Sequence, residues 1–115
     1  MTVYDSAHAL AKTIRESEEA RECARLKEIA EGDETNRALL GEYKRLQMAL
    51  QVQAMGGAAV ESDDMQRFQQ IGSLLYMNGD VQAYLMAEMR LQRLMADIFK
   101  IISEAGGMNM DMLGV

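Results

Sequence analysis

The chain contains no proline. Proline is the residue that most strongly breaks a helix, so nothing in 115 residues forbids helix by that route. Ala, Leu, Met, Glu, Gln and Arg are abundant and β-branched residues are few, which favours helix further. No segment alternates apolar and polar residues for long enough to read as a strand. An all-α fold is therefore expected, with breaks only at glycines, at Asn/Asp caps and at short polar runs.

Five helices follow from those breaks. The first begins near Tyr4 or Asp5 and carries Ala7, Leu10, Ala11 and Ile14 on one face. Ser17 followed by Glu18 and Glu19 reads as an N-cap with acids in the first turn, starting a second helix to about Ala30. Its apolar face is thin: Ala20, Cys23 or Ala24, then Ile29 with Ala30. Glu18, Arg21, Glu22, Arg25 and Glu28 are spaced for pairing along it. Gly32-Asp33 stops that helix and starts a third, through about Met55. Its stripe of Leu39, Tyr43, Leu46 and Leu50 has the spacing of a coiled-coil seam and calls for a partner along its length. Gly41 lies inside this helix at a cost of about 1 kcal/mol against Ala, simplest to read as an exposed site with nothing to pack. Gly56-Gly57 ends the third helix, and Ala58 to Ser62 is read as a turn. Ser62 or Asp63 caps a fourth helix with Met65, Phe68, Ile71 or Gly72, and Leu75 in line; Gly72 would permit close helix approach. Asn78-Gly79-Asp80 is a further break with cap chemistry. The last helix, from about Asp80 to Glu104, holds Val81, Tyr84 or Leu85, Leu91, Leu94 or Met95, Ile98, and Ile101 or Ile102 on one face. At 1.5 Å per residue it is about 38 Å long, which suits an elongated antiparallel bundle of four to five helices. Residues 1–105 read as one helical domain, and 106–115 as a flexible Met-rich tail.

Charge and cysteine narrow the functional classes. The net charge is −6, and the first 55 residues carry 8 basic and 10 acidic groups. The remaining 60 carry 4 and 8. Neither half is a basic arm, so direct nucleic-acid binding is not expected, whereas a basic protein partner suits the charge. A single cysteine permits no intrachain disulfide, and no Cys/His cluster has zinc spacing. No apolar run is long enough to span a membrane. The opening MTVYDSAHAL has neither the basic nor the apolar region of a signal peptide, so a cytoplasmic location is expected. No cofactor and no metal are expected.

The C-terminal half resembles the YlbF/YmcA-like family of bacterial helical proteins. The resemblance rests on Tyr84-Leu85-Met86-Ala87-Glu88, on Arg90-Leu91, and on the closing Ile101-Ile102-Ser103-Glu104. The N-terminal half agrees through the Ala7, Leu10, Ala11, Ile14 helix, the run Glu16-Ser17-Glu18-Glu19, and a helix opening at Asp33. The resemblance implies an all-α fold, homo- or hetero-oligomers and no enzyme activity. It further implies a link to ribonuclease Y or its accessory proteins, hence to mRNA processing in competence, biofilm formation and sporulation, or else the role of a paralogue. Some relatives bind an iron–sulfur cluster through C-terminal cysteines. The tail MNMDMLGV has none and Cys23 is alone, so that property does not carry over.

Individual polar residues have simple readings beside sharper ones. Glu88 lies on the apolar seam of the last helix, either as an edge carboxylate paired with a basic neighbour or as a specifier of register and oligomer state. A catalytic acid would need a second group, and none is identifiable. His8, the single histidine, reads as a surface or half-buried side chain. Cys23 reads as a small helical residue, since Glu19 one turn earlier opposes a thiolate. The methionines either fill gaps in the core or line an adaptable groove for partner helices.

These readings converge on a non-enzymatic regulatory or adaptor protein that assembles through its helices and docks on a protein partner. The alternative is a chaperone-like protein holding an amphipathic client helix in a Met-rich groove. The expected oligomer interface, of a dimer or tetramer, comprises Leu39, Tyr43, Leu46, Leu50, Tyr84, Glu88, Leu91, Met95 and Ile98. The excess of apolar helix surface motivates it: four large side chains left exposed would forgo about 6–12 kcal/mol.

Overall fold

The computed structural model describes residues 1–57 and 62–108. Among these the chain is all-α: α1 Val3–Arg15, α2 Glu18–Glu31, α3 Glu34–Met55, α4 Ser62–Tyr76 and α5 Gly79–Ala105. Of the turn expected at Ala58–Ser62, Ser62 instead opens α4 and residues 58–61 lie outside the described residues, as do the tail residues 109–115.

Local chemistry places the ends. Thr2 and Asp5 form a reciprocal capping box that starts α1 slightly before Tyr4. The Ser17 hydroxyl donates to the Ile14 carbonyl and accepts from the Ala20 amide. One side chain thus closes α1 and opens α2. Asp33 accepts from the Asn36 amide at the start of α3. Asn78 does the same for α5, accepting from Asp80 and Val81 at 3.0 and 3.2 Å. At the far end of α5, Gly107 takes φ +67°, the Gly107 amide donates to Glu104 and the Met108 amide to Ser103. That pair of bonds is a Schellman cap, which needs a residue without Cβ at the left-handed position.

The helices form two compact units. The first holds the residues up to Arg25 and those from Leu85 onward; the second spans Leu26–Tyr84. The helices α2 and α5 contribute to both. The second unit is the better filled. Its buried residues are Ala30, Leu40, Leu50, Ile71, Leu75, Val81 and Tyr84. Here α3 packs on α4. The Tyr43 and Phe68 rings stack with centroids 4.6 Å apart and planes 13° off parallel. Gly72 lies one turn beyond Phe68, and a Cβ there would stand 3.3 Å from Cε2 of Tyr43. The glycine therefore lets the tyrosine ring lie a few tenths of an ångström closer to α4 than a side chain at this position would allow. Arg67 clamps Glu42 along the rim of the same pairing, at 2.9 and 3.2 Å.

Two assignments of facing shift. On α3 the stripe was expected through Leu39; Leu39 is half-buried and its neighbour Leu40 is the buried one, at 2% exposure. Adjacent leucines point 100° apart on a helix, and packing against α4 decides between them. On α2, Ile29 was expected on the apolar face. It is 44% exposed, while Ala30 is fully buried. In the first unit α1 has no buried residue, and burial is confined to Cys23, Leu85 and Ala87 among the described residues.

Replacing Gly72 by Val should lower stability by about 1–3 kcal/mol, because a branched side chain there displaces the Tyr43 ring. Urea unfolding followed by circular dichroism measures this. An unchanged midpoint would show that the Tyr43–Gly72 approach does not matter.

Candidate interaction surfaces

No cluster of three or more His, Cys, Asp or Glu side chains suited to a metal occurs among the described residues. His8 is exposed on α1 and Cys23 is buried in α2, so neither is posed beside the other in sequence or burial. The features that remain are polar clamps and uncovered apolar rows.

In the second unit Tyr84 is the largest of the fully buried side chains, at 1% exposure. Its phenolic oxygen accepts a hydrogen bond from the Lys44 ammonium. The same ammonium is 4.8 Å from the ring centroid. Since Nζ sits at the hydroxyl end, the charge-assisted hydrogen bond is the main attraction and the contact with the ring is secondary. Burial, then the nearby Tyr76, pushes the Tyr43 hydroxyl above its ordinary value. The hydrogen bonds from Arg67 hold the Glu42 carboxyl below its usual range; the charges of Arg67 and Arg45 act in the same direction and desolvation opposes them. A depressed carboxylate stabilises the fold above its unfolded value and loses that contribution as the pH falls through its folded value.

In the first unit Arg25 makes a two-pronged contact with Glu22, at 3.1 and 2.6 Å. The Arg25 bond is the principal cause that lowers the Glu22 carboxyl; Arg90 adds a smaller pull. Glu18, Glu19, Glu22 and Arg90 line a shallow open groove there, dominated by acid. The apolar part of this unit is less well covered. On α5, Leu91, Leu94 and Ile98 are half-buried. Met95, Phe99 and Ile102, at steps of four and three along one line, are exposed at 44%, 39% and 54%. Ile101, Met86 and Met89 are also exposed, as are Val3 and Tyr4 on α1.

The nine residues expected at an oligomer interface divide accordingly. Tyr84 and Leu50 are buried within the chain and have almost no surface to offer a second copy. Tyr43 is half-buried and stacked on Phe68. Leu39 and Leu46 are half-buried on the same helix. On α5, Glu88, Leu91 and Ile98 are half-buried and Met95 is exposed. Phe99 and Ile102, one and two turns beyond Met95, are exposed in line with it; Ile102 was read as one of two candidates for the face of this helix, and Phe99 was not singled out. The signal was present as continued four-and-three spacing, but Ile98 and Ile101 competed for the same stripe.

The comparisons with known proteins agree on the kin of this chain. The family model described as "Control of competence regulator ComK, YlbF/YmcA" matches residues 3–105. The chain belongs to this YlbF/YmcA family. A UPF0342 protein of Caldicellulosiruptor saccharolyticus is 35% identical, over 98% of this chain and 94% of that one. Another from Alkalihalophilus pseudofirmus is 36% identical over 89% and 86%. A solved structure, "Protein of Unknown Function (DUF964) from Bacillus stearothermophilus", has the same fold, with a TM-score of 0.74 at 23% identity and 90% of both chains covered.

Two measurements check the clamps. Tyr84→Phe should cost about 1–2 kcal/mol in urea unfolding, because Lys44 loses a half-buried acceptor; a cost near zero would mean that water replaces the hydroxyl freely. Arg67→Gln should raise the Glu42 titration toward the ordinary carboxylate range in a carbon-detected NMR series, and an unmoved curve would remove Arg67 as the cause.

Proposed function

We propose that the chain is a non-enzymatic regulatory adaptor that self-assembles through its helices and docks on a protein partner. The observation that supports this most is the imbalance of the first unit. Three buried residues stand there against a row of exposed large apolar ones on α5, with Val3 and Tyr4 exposed on α1. Monomeric proteins seldom leave contiguous apolar surface of this kind uncovered. Covering Met95, Phe99 and Ile102 by association supplies a driving force that only partly survives the ordering costs of binding. Symmetric self-association is the commonest way to cover such a row.

The family's description as a control of competence supports a regulatory role. Within it, the partner we propose is ribonuclease Y or one of its accessory proteins, acting in the cytoplasm on mRNA processing. The net acidic chain and the acidic groove on α2 favour a partner with a basic docking face. A second reading, a chaperone that holds a client helix, draws on the exposure of Met86, Met89 and Met95, since methionines adapt to varied partners.

Light scattering at micromolar concentration should return a multiple of the 12.9 kDa chain mass. Phe99→Glu should reduce that mass without loss of helix. A wild-type monomer at all concentrations would overturn the self-assembly. Native capture followed by mass spectrometry separates the two readings: ribonuclease Y or its accessories support the regulator, and one aggregation-prone client supports the chaperone.

A further inference from the structure

We propose that the outward face of α3 is a contact site for a second copy of this chain, the two helices lying antiparallel about a two-fold axis beside the Leu46–Gln47 peptide. The inference specifies one interface of the self-assembly proposed above and rests on that reading.

The face is a second seam on a helix whose first seam is already used. Ala38, Gly41, Arg45, Met48, Val52 and Met55 follow one another at steps of three, four, three, four and three. That is an unbroken heptad pattern, the spacing of helices that pack along their length. All six are exposed, with Met48 at 68%, Val52 at 62% and Met55 at 78%. The opposite side of α3 carries Leu40, Leu50 and Tyr43, which face α4 and the core of the second unit. At Gly41 a Cβ would meet nothing within 4 Å, so no intrachain contact explains a glycine in the middle of this helix. Glu34, Arg37, Ala38, Gly41, Glu42 and Arg45 line an open groove there.

Size and charge select the occupant and the register. The small residues lie in the first half of the seam and the large ones in the second. An antiparallel copy centred beside Leu46–Gln47 sets Ala38 opposite the partner's Met55, Gly41 opposite the partner's Val52, and Arg45 opposite the partner's Met48. Each large side chain then meets a small residue or an aliphatic stem, and the two-fold axis makes every contact twice. The Arg45 guanidinium groups reach outward to water from stems that cover methionine. Arg37 falls level with the partner's Gly56, at the carbonyl end of a helix whose last turn has no basic residue of its own. A cation is favoured at that end. Along the flanks Lys44 lies near the partner's Gln51, and Glu42 near the partner's Ala49, so no like charges oppose. A register one heptad toward the N-terminus sets Ala38 opposite the partner's Met48 and Gly41 opposite the partner's Arg45. It leaves Val52 and Met55 with no seam residue opposite and brings Lys44 beside the partner's Lys44 and Glu42 beside the partner's Glu42. One heptad the other way packs Met48 against the partner's Val52 and leaves Gly41 facing nothing.

Oxidative cross-linking tests the geometry in the full chain. Within one chain residues 41 and 52 are about 16 Å apart along the helix, beyond disulfide reach, so any bond between them joins two chains. The double variant Gly41→Cys/Val52→Cys should give a covalent dimer on a non-reducing gel. Either single variant, and the wild type with its buried Cys23, should not. Val52→Glu, at an exposed site, should halve the mass seen by light scattering while helix content stays unchanged. Efficient cross-linking of Val52→Cys alone would mean a parallel pair and overturn the proposal. So would a Val52→Glu protein of unchanged mass; if Phe99→Glu lowered the mass in that case, self-assembly through α5 would stand without this interface. A wild-type monomer would overturn both.

Discussion

The pairing of α3 with α4 is the contact on which the second unit depends. Tyr43 is its pivot, with one ring face against Phe68 and the ring edge against the backbone at Gly72. Aromatic stacking at this separation adds to the burial of both rings, and the glycine sets how close the helices come. With that spacing in place, Leu40 and Leu50 are buried on α3, and Ile71 and Leu75 on α4. The Glu42–Arg67 clamp on the rim, with Glu42 30% and Arg67 49% exposed, contributes orientation more than stability.

The same unit solves the problem of burying a phenol. Tyr84 is 1% exposed, and a buried hydroxyl without a partner would cost more than the ring's burial justifies. Lys44, one position after the stacked tyrosine, supplies the donor. One turn of α3 therefore serves two neighbours: Tyr43 holds α4, and Lys44 holds the first turns of α5. From Leu85 onward α5 belongs to the other unit, where burial is sparse and the apolar row of Met95, Phe99 and Ile102 is open. The division of labour is physical. One unit fills its interior; the other leaves apolar side chains exposed.

Much of the fold was legible beforehand because helix ends are local. Ser17, Asp33 and Asn78 accept from amides two or three positions on, and Gly57 takes positive φ just past α3. Such signals lie within a few residues, so no tertiary contact is needed to read them. Facing was less legible. The apolar pairs Leu39–Leu40 and Ile29–Ala30 offer two stripes each, and periodicity has no means of preferring one. The expected interface suffered from the same degeneracy. Tyr84 and Leu50 carry the spacing of an interface and that of a core equally well, and the neighbouring helix is what buries them.

Composition and spacing were enough for an all-α chain, its helix breaks and most of its caps, since each follows from backbone chemistry over a few residues, while the kinship rested on a resemblance of particular residues. Which apolar stripe goes inward is a different matter. A helix such as α3 bears two seams, one through Leu40, Tyr43 and Leu50 and one through Met48, Val52 and Met55, and both are amphipathic by pattern. The packing of α4 and the first turns of α5 against α3 leaves the first covered and the second facing solvent, because the surface that fits its neighbours best is the one they bury.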